Sequence, residues 1–257
     1  MAGTPIVTFW EGQLLPRLHL VCVSSWLHVG HDVHVYGYRK PDNLPTGAKF
    51  VDASSILSQE HAFYTKNAGN IAQFADIFRM ELLRRNLGTW LDADLLLLRP
   101  VPEDRTVILA WERYGHVCNA AMRFPENHDI PKAVVRAFLT KTLGPWALAK
   151  PRFKKLLKWF AGQKITQTDL PAGHWGRHPL GYFVRKLHME KDVLSQNSFY
   201  HPSTYDGSLF QAVPYDHLID DEEVLGVHFF FKDADYQNPV PGSFFADMCG
   251  RYDPRGC

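Results

Sequence analysis

Apolar residues in the stretch from Asn70 to Pro100 change their spacing partway along. Ile71, Phe74, Ala75, Phe78 and Leu82 follow the i, i+3, i+4, i+7 rhythm of one helix face. Beyond Gly88 the run TWLDADLLLLRP reads as a buried strand in which Asp92 and Asp94 interrupt otherwise apolar sequence. Asn70 with Gln73 three residues on predicts a loose capping box at the helix start, and Gly88 predicts its exit. Upstream, Pro5 to Phe9 is β-prone, Leu14 to Val29 predicts a helix closed by Gly30, and Asp32 to Tyr38 alternates as a half-buried strand does. A short strand is expected over Lys49 to Val51, then irregular chain with one helical turn over Ser54 to Gly69.

Downstream, strands are expected over Thr106 to Trp111 and His116 to Phe124, and a helix over Ile130 to Leu143 with Pro131 in its first turn. Gly173 to Leu187 moves from a loop into another helix. Ser198 to His201, Phe210 to Val213 and Val224 to Phe231 read as strands, and the Pro/Gly-rich tail after Pro239 as irregular. Strands alternating with helices predict an α/β fold with ligands at the edge where strands end. Residues 1–257 read as one domain with a helical insertion around 130–190.

Composition narrows the function classes. With 46% hydrophobic residues the chain can bury a sizeable core, and 28 Lys plus Arg against 27 Asp plus Glu leave a formal charge of +1. That balance excludes a whole-chain electrostatic footprint for nucleic acid. Basic character is local, as in KPRFKKLLKWFA over 150–161, where Phe153, Leu156, Leu157 and Phe160 oppose Arg152, Lys154, Lys155 and Lys158. Such a helix either lies on the protein surface or touches an anionic membrane peripherally. The four cysteines form no CxxC pair, Cys22 and Cys118 sit in apolar context, and no basic leader or long apolar run occurs. A reduced cytoplasm is expected.

Asp92 and Asp94 at a strand end suit Mg²⁺ or Mn²⁺, hard cations that take oxygen ligands and keep positions open for phosphates. Asp76 and Arg79, three apart on the helix, are surface neighbours, and an arginine beside the metal can hold diphosphate oxygens bidentately. Taken singly, a D-x-D is equally a capped turn, and an Asp–Arg pair at this spacing is ordinarily an ion pair. His28, His31 and His34 could be read as a metal cluster but straddle a helix end and a strand. His174, Trp175, Arg177 and His178 lie in a loop that is either acceptor-shaping or simple surface.

The runs FADIFRMELL and GTWLDADLLLLRP together resemble the core of DxD-containing glycosyltransferases of the GT-A fold. In particular they are similar to the family 32-like capsular polysaccharide, mannosyl and galactosyl transferases and to clostridial toxin glucosyltransferase domains. IVTFWEG, GHDVHVYGY, FYHP and GVHFFF extend the resemblance, while residues 125–190 match loosely. Phe74-Ala75 departs from the small residue and serine usual before the helix aspartate. The resemblance implies a mixed sheet flanked by helices in a Rossmann-like nucleotide-diphospho-sugar transferase. Asp94 would ligate the metal, and Asp92 would contact ribose and assist the metal through water. Asp76 would bind nucleotide or donor sugar, and Arg79 the diphosphate or donor sugar. Trp10 would stack on the base, His228 would complete the metal or phosphate site, and Asn119 would sit near the transferred sugar. By their own sequence, Trp10 is equally a core or rim aromatic, and His228 and Asn119 equally hydrogen-bonded structural residues.

The implied activity is a retaining, metal-dependent hexosyltransferase using a nucleotide sugar, UDP-linked first and GDP-linked second, on a saccharide or other hydroxyl acceptor, as in polysaccharide biosynthesis. Two other readings stay open. One is a metal-dependent phosphohydrolase or nuclease, which would gather more carboxylates and histidines around two metals. The other is a sugar-nucleotide binding protein without turnover.

Overall fold

A computed structural model describes residues 3–63, 71–149, 153, 158, 170–231 and 234–255. Ile6–Phe9 (β1), Arg17–His28 (α1) and Val33–Gly37 (β2) form the opening β-α-β unit, followed by Lys49–Asp52 (β3) and two single 3-10 turns. Ala72–Arg84 (α2) leads into Thr89–Leu91 (β4) and Leu95–Leu97 (β5). Ile108–Glu112 (β6), His116–Arg123 (β7), Asp129–Leu139 (α3) and Arg177–Lys186 (α4) come next. Asn197–Tyr200 (α5), Asp216–Asp220 (α6), Gly226–His228 (β8) and Phe244–Tyr252 (α7) complete the chain.

The main sheet has the order β3-β2-β1-β4-β7-β6. β1 runs parallel to β2 and β4, β2 parallel to β3, and β7 is antiparallel to both β4 and β6. This is the mixed sheet flanked by helices expected of the sequence. Alternation along each strand feeds two layers: Val7, Phe9, Tyr36 and Trp90 pack with α2, α3 and α4, whereas Ile6, Val33, Val35 and Leu91 pack on the α1 side. From β1 the chain first builds outward through β2 and β3, then crosses back to lay β4 on the other side of β1. The carboxyl ends of β1 and β4 therefore flank the crevice where open α/β sheets take ligands.

Several expectations need correction. The exit of α2 is made by Asn86, which takes a left-handed conformation (φ 54°), while the amides of Asn86 and Leu87 bond back to Leu83 O and Leu82 O. That is a Schellman motif with asparagine. Gly88 serves packing instead, since a Cβ there would lie 2.5 Å from Pro5 O. Asn70 lies outside the described residues, and α2 begins after Ile71 with no side-chain cap. Expected strands at 198–201 and 210–213 are a short helix (α5) and a 3-10 turn at Ser208–Phe210. Their aromatics signalled burial, and burial does not require a strand. The tail carries α7, started by Ser243, whose Oγ accepts from Ala246 N, and Gly250 within the helix hid its pattern. The basic segment 150–161 lies outside the described residues except Phe153 and Lys158. No helix among the described residues is long and apolar enough to cross a membrane.

Candidate metal and donor site

β4 ends at Leu91, and the turn Asp92-Ala93-Asp94 carries the chain into β5, closed by the Leu95 amide donating to Asp92 O at 2.9 Å. Asp92 is fixed by its neighbours. Its Oδ1 lies 2.8 Å from Arg79 Nη1 and accepts from Trp90 Nε1 at 2.7 Å. Asp94 is held by a different device: the two-stranded sheet of β5 and β8 pairs Leu95 with His228, and the Phe229 amide donates to Asp94 O. This register leaves His228 Nε2 3.1 Å from Asp94 Oδ1. One ligand atom each from Asp92, Asp94 and His228 can be drawn within 4.8 Å of one another. Among the described residues no other group of three such side chains gathers this closely.

Behind the strand end α2 presents Asp76 and Arg79, both buried. Arg79 Nη1 donates to Asn119 O at 2.6 Å, its Nη2 stands 3.4 Å from Asp76 Oδ1, and its guanidinium lies 4.6 Å from the centre of the Trp90 ring. Asn119, on β7, donates from Nδ2 to Asp76 Oδ1 at 2.7 Å. The turn before α4 closes over this pair, so tightly that a Cβ on Gly176 would lie 2.4 Å from Asn119 Nδ2 and 2.9 Å from Asp76 Oδ1. Spacing alone gave no sign of Gly176.

The electrostatics sort these carboxylates. Burial raises the Asp76 carboxyl to about 6, against the pull of Arg79. Burial likewise raises Asp92, again opposed by Arg79. For Asp94 burial also pushes upward, but the facing His228 outweighs it and the carboxyl stays below its ordinary value. His228 shows the converse: burial works to lower it, and Asp94 lifts it above the ordinary imidazole value. Asp94 is thus the readily ionised carboxylate of the cluster, and Asp92 is held back by burial that Arg79 offsets only in part.

Trp10 directly follows β1 and is half-buried, with Nε1 donating to Leu14 O at 3.2 Å and its ring 4.5 Å from that of His19. Among the described residues, Glu11 Oε2, His19 Nδ1 and His228 Nδ1 are buried without a hydrogen-bond partner. The charge of Asp94 is felt at both His19 and Tyr236. The three early histidines stay apart: His31 Nε2 accepts from Val101 N, His34 pairs with Asp32 and His28 packs on Tyr252. In the loop before α4, His174 and Trp175 are core residues, and burial lowers His174 to about 4. Arg177 beside them is exposed, and its charge reaches Asp76.

The donor set fits a divalent ion. Ligands about 2.1 Å from one ion stand roughly 3 to 4.2 Å from each other, close to the spread seen here. The two carboxylates suit Mg²⁺ and Mn²⁺, and the imidazole widens the set to transition ions such as Zn²⁺.

The sequence matches no protein-family model and no curated protein. Among solved structures the chain is similar to the galactosyltransferase LgtC in complex with donor and acceptor sugar analogues, at 12% identity over 96% of each chain with a TM-score of 0.46. It is also similar to the PaToxG glycosyltransferase, at 10% identity over 74% of this chain and 72% of that one with a TM-score of 0.44.

Proposed function

We propose that this chain is a metal-dependent glycosyltransferase of the GT-A type, taking a hexosyl group from a nucleotide-diphosphate sugar to a saccharide or other hydroxyl acceptor. The observation that carries this reading is one juxtaposition. A three-donor N/O cluster of Asp92, Asp94 and His228 stands at the crevice between β1 and β4, directly in front of the buried Asp76–Arg79–Asn119 network.

In this reading Asp94 and His228 hold Mn²⁺ directly, with Asp92 beside them. The bound ion would supply Lewis-acid neutralisation of the leaving diphosphate. Asp76 and Asn119 orient the donor's ribose or sugar through hydrogen bonds, and Trp10 offers the base an aromatic face at the end of β1. Arg79 acts first by keeping Asp92 and Asp76 ionised and aimed, because its guanidinium already meets both. Arg177, exposed and close enough to be felt at Asp76, adds a second cation for the diphosphate. UDP is the first base to test and GDP the second, and retention is the outcome implied by the sequence resemblance.

A panel of UDP- and GDP-sugars, screened with and without Mn²⁺ for thermal stabilisation and slow hydrolysis, tests the reading. At least one donor should bind and turn over only with metal, and Asp94→Ala should lose both while keeping its melting temperature. Binding without turnover on any acceptor would turn the reading into a sugar-nucleotide binding protein, and phosphate release from simple nucleotides into a phosphohydrolase.

A further inference from the structure

On the layer that carries α2, α3 and α4 a hollow of about 1110 Å³ opens to solvent. Arg84 on its rim stands eight residues beyond Asp76 on α2, or about 12 Å along the helix axis. Its floor is apolar, with Trp146 and Phe183 among the lining residues and Leu139 and Leu187 at its mouth. Leu139 is 59% exposed and Leu148, two residues past Trp146, 50%. Of the seven large hydrophobic residues exposed among the described residues, four fall between 139 and 187. Two of them, Leu139 and Leu187, share the mouth of this one hollow, unlike the scattered single exposures normal for a surface.

The rim is mostly cationic. Lys132, Arg136 and Lys186 line the hollow, and no carboxylate lies within ion-pair distance of any of them among the described residues. Arg84 is already bound to both oxygens of Glu81, and Asp129 is the single acid on the rim. Lys132 and Arg136 are one turn apart on α3, a like-charge spacing that weakens a helix rather than supporting it. With a whole-chain formal charge of only +1, this cluster is a local feature, and its complement is anionic.

We propose that the α3–α4 face docks peripherally on an anionic lipid bilayer, with Leu139 and Leu187 entering the headgroup boundary and Lys132, Arg136 and Lys186 meeting lipid phosphates. Cations around an exposed apolar patch are the arrangement an interfacial surface needs, since neither part alone gives stable attachment. Arg84 on this rim and Asp76 of the proposed site stand toward opposite ends of α2. The proposal is independent of the sugar-transfer reading.

Cosedimentation with vesicles tests it, using phosphatidylcholine alone and phosphatidylcholine mixed with phosphatidylglycerol. The full chain should bind the mixed vesicles at low salt, bind poorly to pure phosphatidylcholine and dissociate as salt rises. The triple change Lys132→Gln, Arg136→Gln and Lys186→Gln should weaken partitioning by about two orders of magnitude, near fivefold for each charge. Leu139→Ser alone should weaken it several-fold with the melting temperature unchanged. A control with Lys40→Gln, Lys49→Gln and Arg105→Gln, equal in charge but away from the hollow, should bind nearly as wild type. Absence of binding to mixed vesicles, or equal loss in the two triple variants, overturns the proposal. Equal affinity for poly-glutamate with no effect of Leu139→Ser also overturns it, pointing to an acidic protein partner.

Discussion

Asp76 shows how one buried carboxylate couples stability to function. Its ordinary value is 3.8 and burial lifts it to about 6, so as pH rises the unfolded chain gives up this proton before the folded chain does. The folded state then binds more protons than the unfolded one, and stability falls with pH across this window. The stability tied to the protonated form is complete below about 4 and is lost as pH climbs through 6, a difference of about 3 kcal/mol. Asn at this position can still accept from Asn119 and Arg79 without carrying charge. Asp76→Asn should therefore be more stable than wild type at pH 8, by about 1–3 kcal/mol, and indistinguishable near pH 4, while donor affinity drops. Urea midpoints of the two proteins at both pH values measure this, and equal midpoints at pH 8 would remove the buried-charge account of Asp76. Arg79 carries the opposite expectation. Removing it leaves Asp92 and Asp76 buried without their counter-charge, so Arg79→Ala should cost about 3–5 kcal/mol, read by the same titrations.

At the level of elements, the legible parts were those whose pattern is local. The α2 face and the Asp76–Arg79 pairing follow from spacings of three and four and the β-α-β opening from alternation, and the structure shows all three, with Asp76 and Arg79 buried rather than on the surface. The pairing of His228 with Asp94 has no local signature. It depends on β8 lying against β5 in one register, across 134 positions of chain. Gly176 was invisible for the same reason, because its smallness matters only where α4 meets Asn119 of β7. Long-range contact, not weak periodicity, put both contacts beyond spacing, and His228 was named through the resemblance alone. Two substitutions exploit the point. A Cβ on Gly226 would lie 2.4 Å from Leu96 O, so Gly226→Ala should push β8 off β5 and draw His228 away from Asp94. Mn²⁺ affinity should fall at least tenfold by titration calorimetry, and an unchanged affinity would show that His228 is not a ligand. Gly176→Ala, by contrast, should leave Mn²⁺ binding near wild type, cost about 1–3 kcal/mol through overpacking, and weaken the donor through a displaced Asp76–Asn119 pair.

For the whole molecule, the crevice concentrates charge that folding alone does not neutralise. Three carboxylates, Asp76, Asp92 and Asp94, face one arginine guanidinium and one histidine at close range. A divalent ion and a diphosphate entering together add charges of both signs, so each should bind more tightly in the presence of the other. Such coupling is reciprocal, whichever ligand is added first. Ligands that bind only the folded state stabilise it by RT ln(1 + [L]/Kd), about 2.7 kcal/mol at a hundred times Kd. For a chain of this size each kcal/mol moves the melting temperature by roughly 2–4 °C, so saturating ligand should raise it by about 5–10 °C. Mn²⁺ with UDP should therefore raise the melting temperature by more than the sum of the two separate shifts, and chelation should return it to the unliganded value. In Asp94→Ala both the Mn²⁺ shift and the excess should vanish, whereas Trp10→Ala should keep the Mn²⁺ shift and reduce only the contribution of the nucleotide. Strictly additive shifts in the wild-type protein would mean that metal and diphosphate do not share this crevice.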